Sequence, residues 1–227
     1  RILRQLQKDL RLKELPVHIE CFDNSNFQGT DAVAACVVFK NAKPSKKDYR
    51  HFNIKTVEGP NDFASMEEVV YRRYKRLLDE NQSLPQLIVI DGGKGQLSSA
   101  LKSLKKLNLH NQIAIIGIAK KLEEIYFPND PFPLHIDKKS ESLKVIQHIR
   151  NEAHRFGITH HRKKRAKTSV QSSLDKIPGV GIKTKQLLLK EFKSVKKIKS
   201  ASAEDFQKIL GKKRGKIIFE SVQKHLS

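Results

Sequence analysis

A mixed β-sheet flanked by helices, followed by a small all-α domain, is the α/β architecture the sequence predicts. Three observations carry that expectation. Strand-length apolar segments, alternating or solid, recur along the first two-thirds of the chain. Segments of helical periodicity separate them. The composition then changes at His161: from there to Ser227 stand 19 basic and 5 acidic residues, against 26 and 19 in the first 160. Hydrophobic residues make up 38% of the 227, enough for a packed core.

In chain order, Arg1 to Leu15 reads as a charged helical lead-in, a linker stub. Val17, Ile19 and Cys21 alternate onto one side of a half-buried strand that reaches Asp23. A turn through Asn24, Ser25, Asn26 and Gly29 leads to the nearly all-apolar strand Ala32–Phe39. The Lys43-Pro44-Ser45 turn precedes a third strand around Arg50–Val57, so the three form an antiparallel meander. Asp62 caps a helix on which Met66, Val69, Val70, Tyr74 and Leu77 share one face. Leu87–Ile90 is a solid apolar strand covered on both faces. Gly92 and Gly93 turn the chain into a second helix carrying Leu97, Leu101 and Leu104. Ile113–Ile118 is a fifth strand, Tyr126–Ile136 a proline-rich hairpin, and Ser140–Phe156 a third helix. The succession β-β-β-α-β-α-β-α is the order of the RNase H-like fold. The expected domains are a stub over 1–15, the RNase H-like domain over 16–160, a basic linker over 161–170 and a helical domain over 171–227; His160–Lys167, HHRKKRAK, reads as solvated basic linker.

Net charge is +21, concentrated in the tail. Such a surplus favours a polyanion through counterion release, and nucleic acid fits better than a membrane surface because no amphipathic segment carries Trp anchors. Cys21 and Cys36 lie in apolar strands without a Cys-x-x-Cys or Cys/His cluster, so they read as buried thiols of a reducing cytoplasm rather than zinc ligands or a disulfide. No run of eighteen apolar residues and no signal peptide is present, which predicts a soluble intracellular protein. With Arg1 first and Met66 the only methionine, the chain is expected to be part of something longer.

Asp23 continues the row Val17, Ile19, Cys21 and so points with the apolar positions. A carboxylate there is costly unless something cationic meets it. Asp91 directly follows a buried strand, and ligand sites gather at the carboxyl ends of strands in open α/β sheets. The pair can converge on a hard divalent cation such as Mg²⁺ or Mn²⁺. A second reading stays open for each acid alone, a turn residue bonding the backbone. His154 falls at the border of the stripe Leu143, Ile146, Ile149 and Ala153, with Arg150 one turn earlier. It is either a metal or water partner or a part-buried histidine satisfied by a carbonyl. Lys94 and Arg150 read as phosphate contacts or as solvated surface.

The segments IECFDNSNFQGTDAVAACVVF, VEGPNDFASMEEVVYRRY, LIVIDGGKGQLSSAL, GIAKKLEEIYFP and IRNEAHRFGITHHRKKR resemble successive motifs of the UvrC endonuclease domain, in order from about Val17 to Arg165. The resemblance implies an RNase H-like nuclease with an Asp, Asp, His set binding Mg²⁺ or Mn²⁺, which falls on Asp23, Asp91 and His154. A further family acid matches Asp62, whose cap position also explains it. The resemblance implies hydrolysis of a DNA phosphodiester 5′ of a bulky lesion, with UvrB, and UvrA upstream, as partners. It places the N-terminal nuclease domain used for 3′ incision and the UvrB-binding segment outside this chain. Another RNase H-like nuclease, of resolvase or endonuclease V type, and a non-catalytic DNA-binding scaffold are the competing readings.

Leu174–Lys185, with Pro178-Gly179-Val180-Gly181, resembles the first hairpin of a helix-hairpin-helix module. There the glycines permit a tight turn, and backbone N–H groups with Lys183, Thr184 and Lys185 hold a phosphate without reading sequence. A plain turn is the alternative. The second hairpin falls at Ala203–Val222, turning at Ile209–Gly215. It lacks Gly-x-Gly and reads as shortened, but offers Lys212, Lys213 and Arg214.

Overall fold

Phe22, Ile88 and Ile90 bury on one side of the central strands, and Ile19, Cys21, Leu87 and Val89 on the other. That two-sided burial organises the first part of the computed structural model. The structure describes residues 1–25, 33–57, 59, 61–119, 124–175 and 177–225, without the side chains of 25 and 160–173. The turn residues Asn26 and Gly29, part of the GIAKKLEEIYFP motif, Lys176 and the side chains of HHRKKRAK therefore lie outside the description. The chain divides into two compact units, Arg1–His160 and His161–Ser227.

The first unit contains α1 (Ile2–Asp9), β1 (His18–Ser25), β2 (Val33–Lys40), β3 (Lys43–Pro44), β4 (Arg50–Asn53), α2 (Asp62–Asp79), β5 (Leu87–Asp91), α3 (Lys94–Lys106), β6 (Ala114–Ile118), β7 (Ile125–Tyr126) and the start of α4 (Glu141–Asp175). The sheet order is β3-β2-β1-β5-β6-β7, with β4 also beside β2. β2 runs antiparallel to β1 and to β4, β1, β5 and β6 are parallel, and β7 returns antiparallel. Helices α2 and α3 cover one face; α1 and α4 cover the other. This is the mixed, helix-flanked sheet expected from the sequence.

Several local expectations are corrected. Residues 1–15 are not a stub: Leu6 and Leu10, one turn apart, are buried in the same core as Val38 and Phe39. Each contributes about 1.5–3 kcal/mol by leaving water. β1 is buried on both faces rather than half-buried, and Glu20 is fully enclosed. The third strand ends at Asn53. Asn61, not Asp62, caps α2, its side chain accepting from the Ala64 N–H at 3.0 Å. The backbone over 161–170 is helical, because no proline follows until Pro178 and Lys, Arg and Ala all favour helix.

Glu20 is the centre of a buried polar cluster. Arg73 donates to it from Nη2 at 2.6 Å and Nε at 3.2 Å, Tyr74 Oη donates at 3.0 Å, and His18 Nε2 lies 3.3 Å away. Burial raises its carboxyl pKa, but the hydrogen bonds of His18 and Arg73 and the arginine's charge outweigh that and hold it at about 2. The Cys21 and Cys36 thiols are buried and unbridged, and burial pushes both well up.

In the second unit, the end of α4, α5 (Ile182–Phe192), α6 (Val195–Ser200), α7 (Ala203–Leu210) and α8 (Lys212–His225) enclose Leu174, Leu188, Ile198, Phe206 and Val222. Ser202 and Asp205 form a capping box at α7. A Cβ on Gly215 would lie 2.5 Å from the Gln207 backbone, so α8 crosses α7 at glycine contact. Gly215→Val is expected to destabilise this unit by about 3 kcal/mol or more, since backbone cannot yield as a side chain does. Urea unfolding of the variant checks this, and an unchanged midpoint would contradict it.

Candidate functional site

The register brings the acids together. Phe22 pairs with Ile90, so the next residues, Asp23 and Asp91, stand abreast at the carboxyl ends of parallel β1 and β5. Both continue the rows Ile19–Cys21 and Leu87–Val89 and face α4. On α4, Leu143, Ile146, Ile149 and Ala153 are buried, which sets His154 at the border of the helix's inner face. His154 Nδ1 lies 3.1 Å from Asp23 Oδ2. Asp23 is 1% and Asp91 4% exposed, while the His154 side chain is 52% exposed.

One ligand atom from each of Asp23, Asp91 and His154 lies within 4.8 Å of the others. Around Mg²⁺, oxygens at about 2.0–2.1 Å stand up to about 4.2 Å apart, so these three atoms suit one cation after small adjustments. The donor set is therefore chemically suited to Mg²⁺ or Mn²⁺. Asp62 is outside this cluster: it is an exposed first residue of α2, linked to the site through its backbone carbonyl, which accepts from Asn24 Nδ2 at 2.8 Å. Lys94 is engaged locally, donating to the Pro131 carbonyl at 2.6 Å over the Tyr126 ring.

In the second unit, Gly179 takes φ +84°, a conformation that L side chains rarely adopt, and Gly181 is the N-cap of α5 without a side chain to block its first turn. Lys183 is exposed at that turn. Thr184 departs from the expected role: it is 2% exposed, and its Oγ1 accepts from Arg214 Nη2 at 2.8 Å. Its side chain ties α5 to α8 instead of facing solvent. Lys185 pairs with Asp175. The second hairpin is short, with Gly211 alone between α7 and α8, and Lys212 and Lys213 exposed on the first turn of α8. Among the described residues no helix is long and apolar enough to cross a membrane.

Residues 7–158 match the family model of the UvrC RNAse H endonuclease domain, and residues 172–224 match that of the SAM-like helix-hairpin-helix tandem. The UvrABC system protein C of Flavobacterium psychrophilum is 66% identical over 99% of this chain and 37% of its own length. That of Porphyromonas gingivalis is 61% identical over 98% of this chain and 37% of its own. The chain thus spans little more than a third of these curated relatives. A crystal structure of human ENDOV aligns with a TM-score of 0.44 and 13% identity, over 72% of this chain and 97% of that one.

Proposed function

The chain belongs to the UvrC family, and from that premise we propose that it is the divalent-metal-dependent endonuclease half of a nucleotide excision repair protein, cutting DNA 5′ of a bulky lesion. The observation that carries this reading is the convergence of Asp23, Asp91 and His154 at the carboxyl end of the sheet. Asp23 and Asp91 would hold Mg²⁺ or Mn²⁺ together with His154. Such a cation would polarise a phosphoryl oxygen and lower the pKa of a bound water. His154 Nδ1, 3.1 Å from Asp23 Oδ2, is the ring nitrogen that faces the carboxylates, and its lone pair would join them on the cation.

The helical unit binds the DNA backbone. Amide groups at the start of α5, beside Gly179, Gly181 and Lys183, hold one phosphate, and Lys212 and Lys213 add charge at the second hairpin. Thr184, Lys185 and Arg214 keep the two hairpins in place. Damaged duplex is delivered by UvrB, with UvrA acting earlier.

Binding of this kind is steeply salt-dependent: with about 6–10 phosphates covered, affinity drops about 10³–10⁵-fold between about 50 and 200 mM salt. Fluorescence anisotropy on a labelled duplex measures that slope, and a flat one would remove the electrostatic account of the helical unit. The function itself is tested on duplexes carrying one bulky adduct, with the full-length protein, UvrA and UvrB. Incision 5′ of the adduct that needs Asp91 is expected. Preferential cutting of an undamaged junction or a deaminated base would sink the repair assignment.

A further inference from the structure

His154 protrudes from one flank of α4, and the opposite flank of the same turns is gripped by the edge strand β4 and by Tyr49 just before it. Glu152 and Phe156 lie two residues either side of His154, which at 3.6 residues per turn puts them across the helix from it. Tyr49 Oη donates to Glu152 Oε1 at 3.1 Å. The His51 ring stacks on Phe156, centroids 3.7 Å apart at 17°, and His51 Nε2 lies 3.0 Å from the Phe156 carbonyl oxygen. A carbonyl only accepts, so Nε2 carries the proton. Tyr49 also meets Phe156 edge-on, at 5.1 Å and 69°.

The sheet register explains why the grip lies at this level. Asp23 pairs with Ala35 across β1 and β2, and Ala35 pairs with His51 across β2 and β4. Asp91, Asp23, Ala35 and His51 therefore form one row across four strands, on the face under α4. The helix crosses this row with His154 over Asp23 and Phe156 over His51, and the small Ala35 stands between them.

We propose that His51 and Tyr49 are positioning residues that set the roll of α4 and thereby hold His154 at the metal centre. This rests on the metal-centre reading above. A roll of about 20° displaces a side-chain tip about 5–6 Å from the helix axis by about 2 Å. A displacement of about 1 Å at a reacting group is enough to cost about a hundredfold in rate.

The test is Mn²⁺ affinity by calorimetry, beside plasmid-nicking turnover at saturating DNA, for wild type, His51→Ala, His51→Phe and Tyr49→Phe. His51→Ala is expected to weaken Mn²⁺ binding and turnover about ten- to hundredfold, as for other groups that orient a metal ligand. DNA affinity should stay at the wild-type value. His51→Phe keeps the stack and recovers most of the loss; Tyr49→Phe lies between. Wild-type Mn²⁺ affinity and turnover in His51→Ala would overturn the proposal while leaving the metal centre intact. So would equal losses in the alanine and phenylalanine variants that track their melting temperatures. Wild-type protein that binds no Mn²⁺ would overturn the metal centre and this proposal together.

Discussion

Asp91→Asn is expected to lower metal-dependent nicking of supercoiled plasmid by more than about a hundredfold, because it replaces the proposed carboxylate ligand with a neutral amide where even supporting groups are worth about 10–100-fold. The substitution is nearly isosteric. Asp91 closes β5 on the sheet's buried face, and its neighbours Val89 and Ile118 remain packed. The fold should therefore persist. DNA affinity should persist as well, since the turns proposed to hold phosphate belong to the unit His161–Ser227. Nicking at the wild-type rate by the variant would mean that the three converged side chains are not the cleavage site.

The second large effect concerns stability and lies on the opposite face of the sheet. Arg73→Met is expected to destabilise the first unit by about 3–5 kcal/mol, since it leaves the Glu20 carboxylate buried without its arginine. Adding Glu20→Leu should recover much of that loss, because an apolar pair needs no counter-charge. The pH dependence follows from the depressed carboxyl. Its ordinary pKa is 4.5 and the folded value about 2, so the contribution is fully present above 4.5 and is lost as pH falls through about 2. Chemical denaturation at pH 7 and between pH 4.5 and 2 measures both. Equal midpoints for wild type and Arg73→Met at pH 7 would show that the pair contributes nothing.

The difference between what was legible in the sequence and what was not is physical. Asp23 and Asp91 could be read because strand alternation projects a side chain onto a definite face, and both acids break an apolar row. His154 could be placed at a border because helical spacing from Leu143 to Ala153 fixes the inner face. The cluster around Glu20 escaped because its signal was weaker. Glu20 sits where a half-buried strand permits a polar residue, and only burial from both faces makes it costly. Arg73 did give a cue, lying on the same helical face as Met66, Val70 and Leu77.

His51 and Tyr49 escaped for another reason. Their role depends on β4 pairing with β2 so that His51 stands in the row of Asp23, a register between segments that local pattern does not specify. Likewise, Thr184 looks solvent-facing in a lysine-rich run until Arg214, thirty residues later, is brought against it. The 1–15 lead-in reads as a stub because its charge hides Leu6 and Leu10, the two leucines that anchor it.

The proposed function stands on Asp23, Asp91 and His154 forming one divalent-cation site. The most direct measurement is calorimetric titration of Mn²⁺ into the protein beside the Asp23→Asn/Asp91→Asn double variant, with circular dichroism to verify folding. Saturable Mn²⁺ binding by the wild type that disappears in the folded double variant is expected. Binding of undiminished affinity in that variant would contradict it.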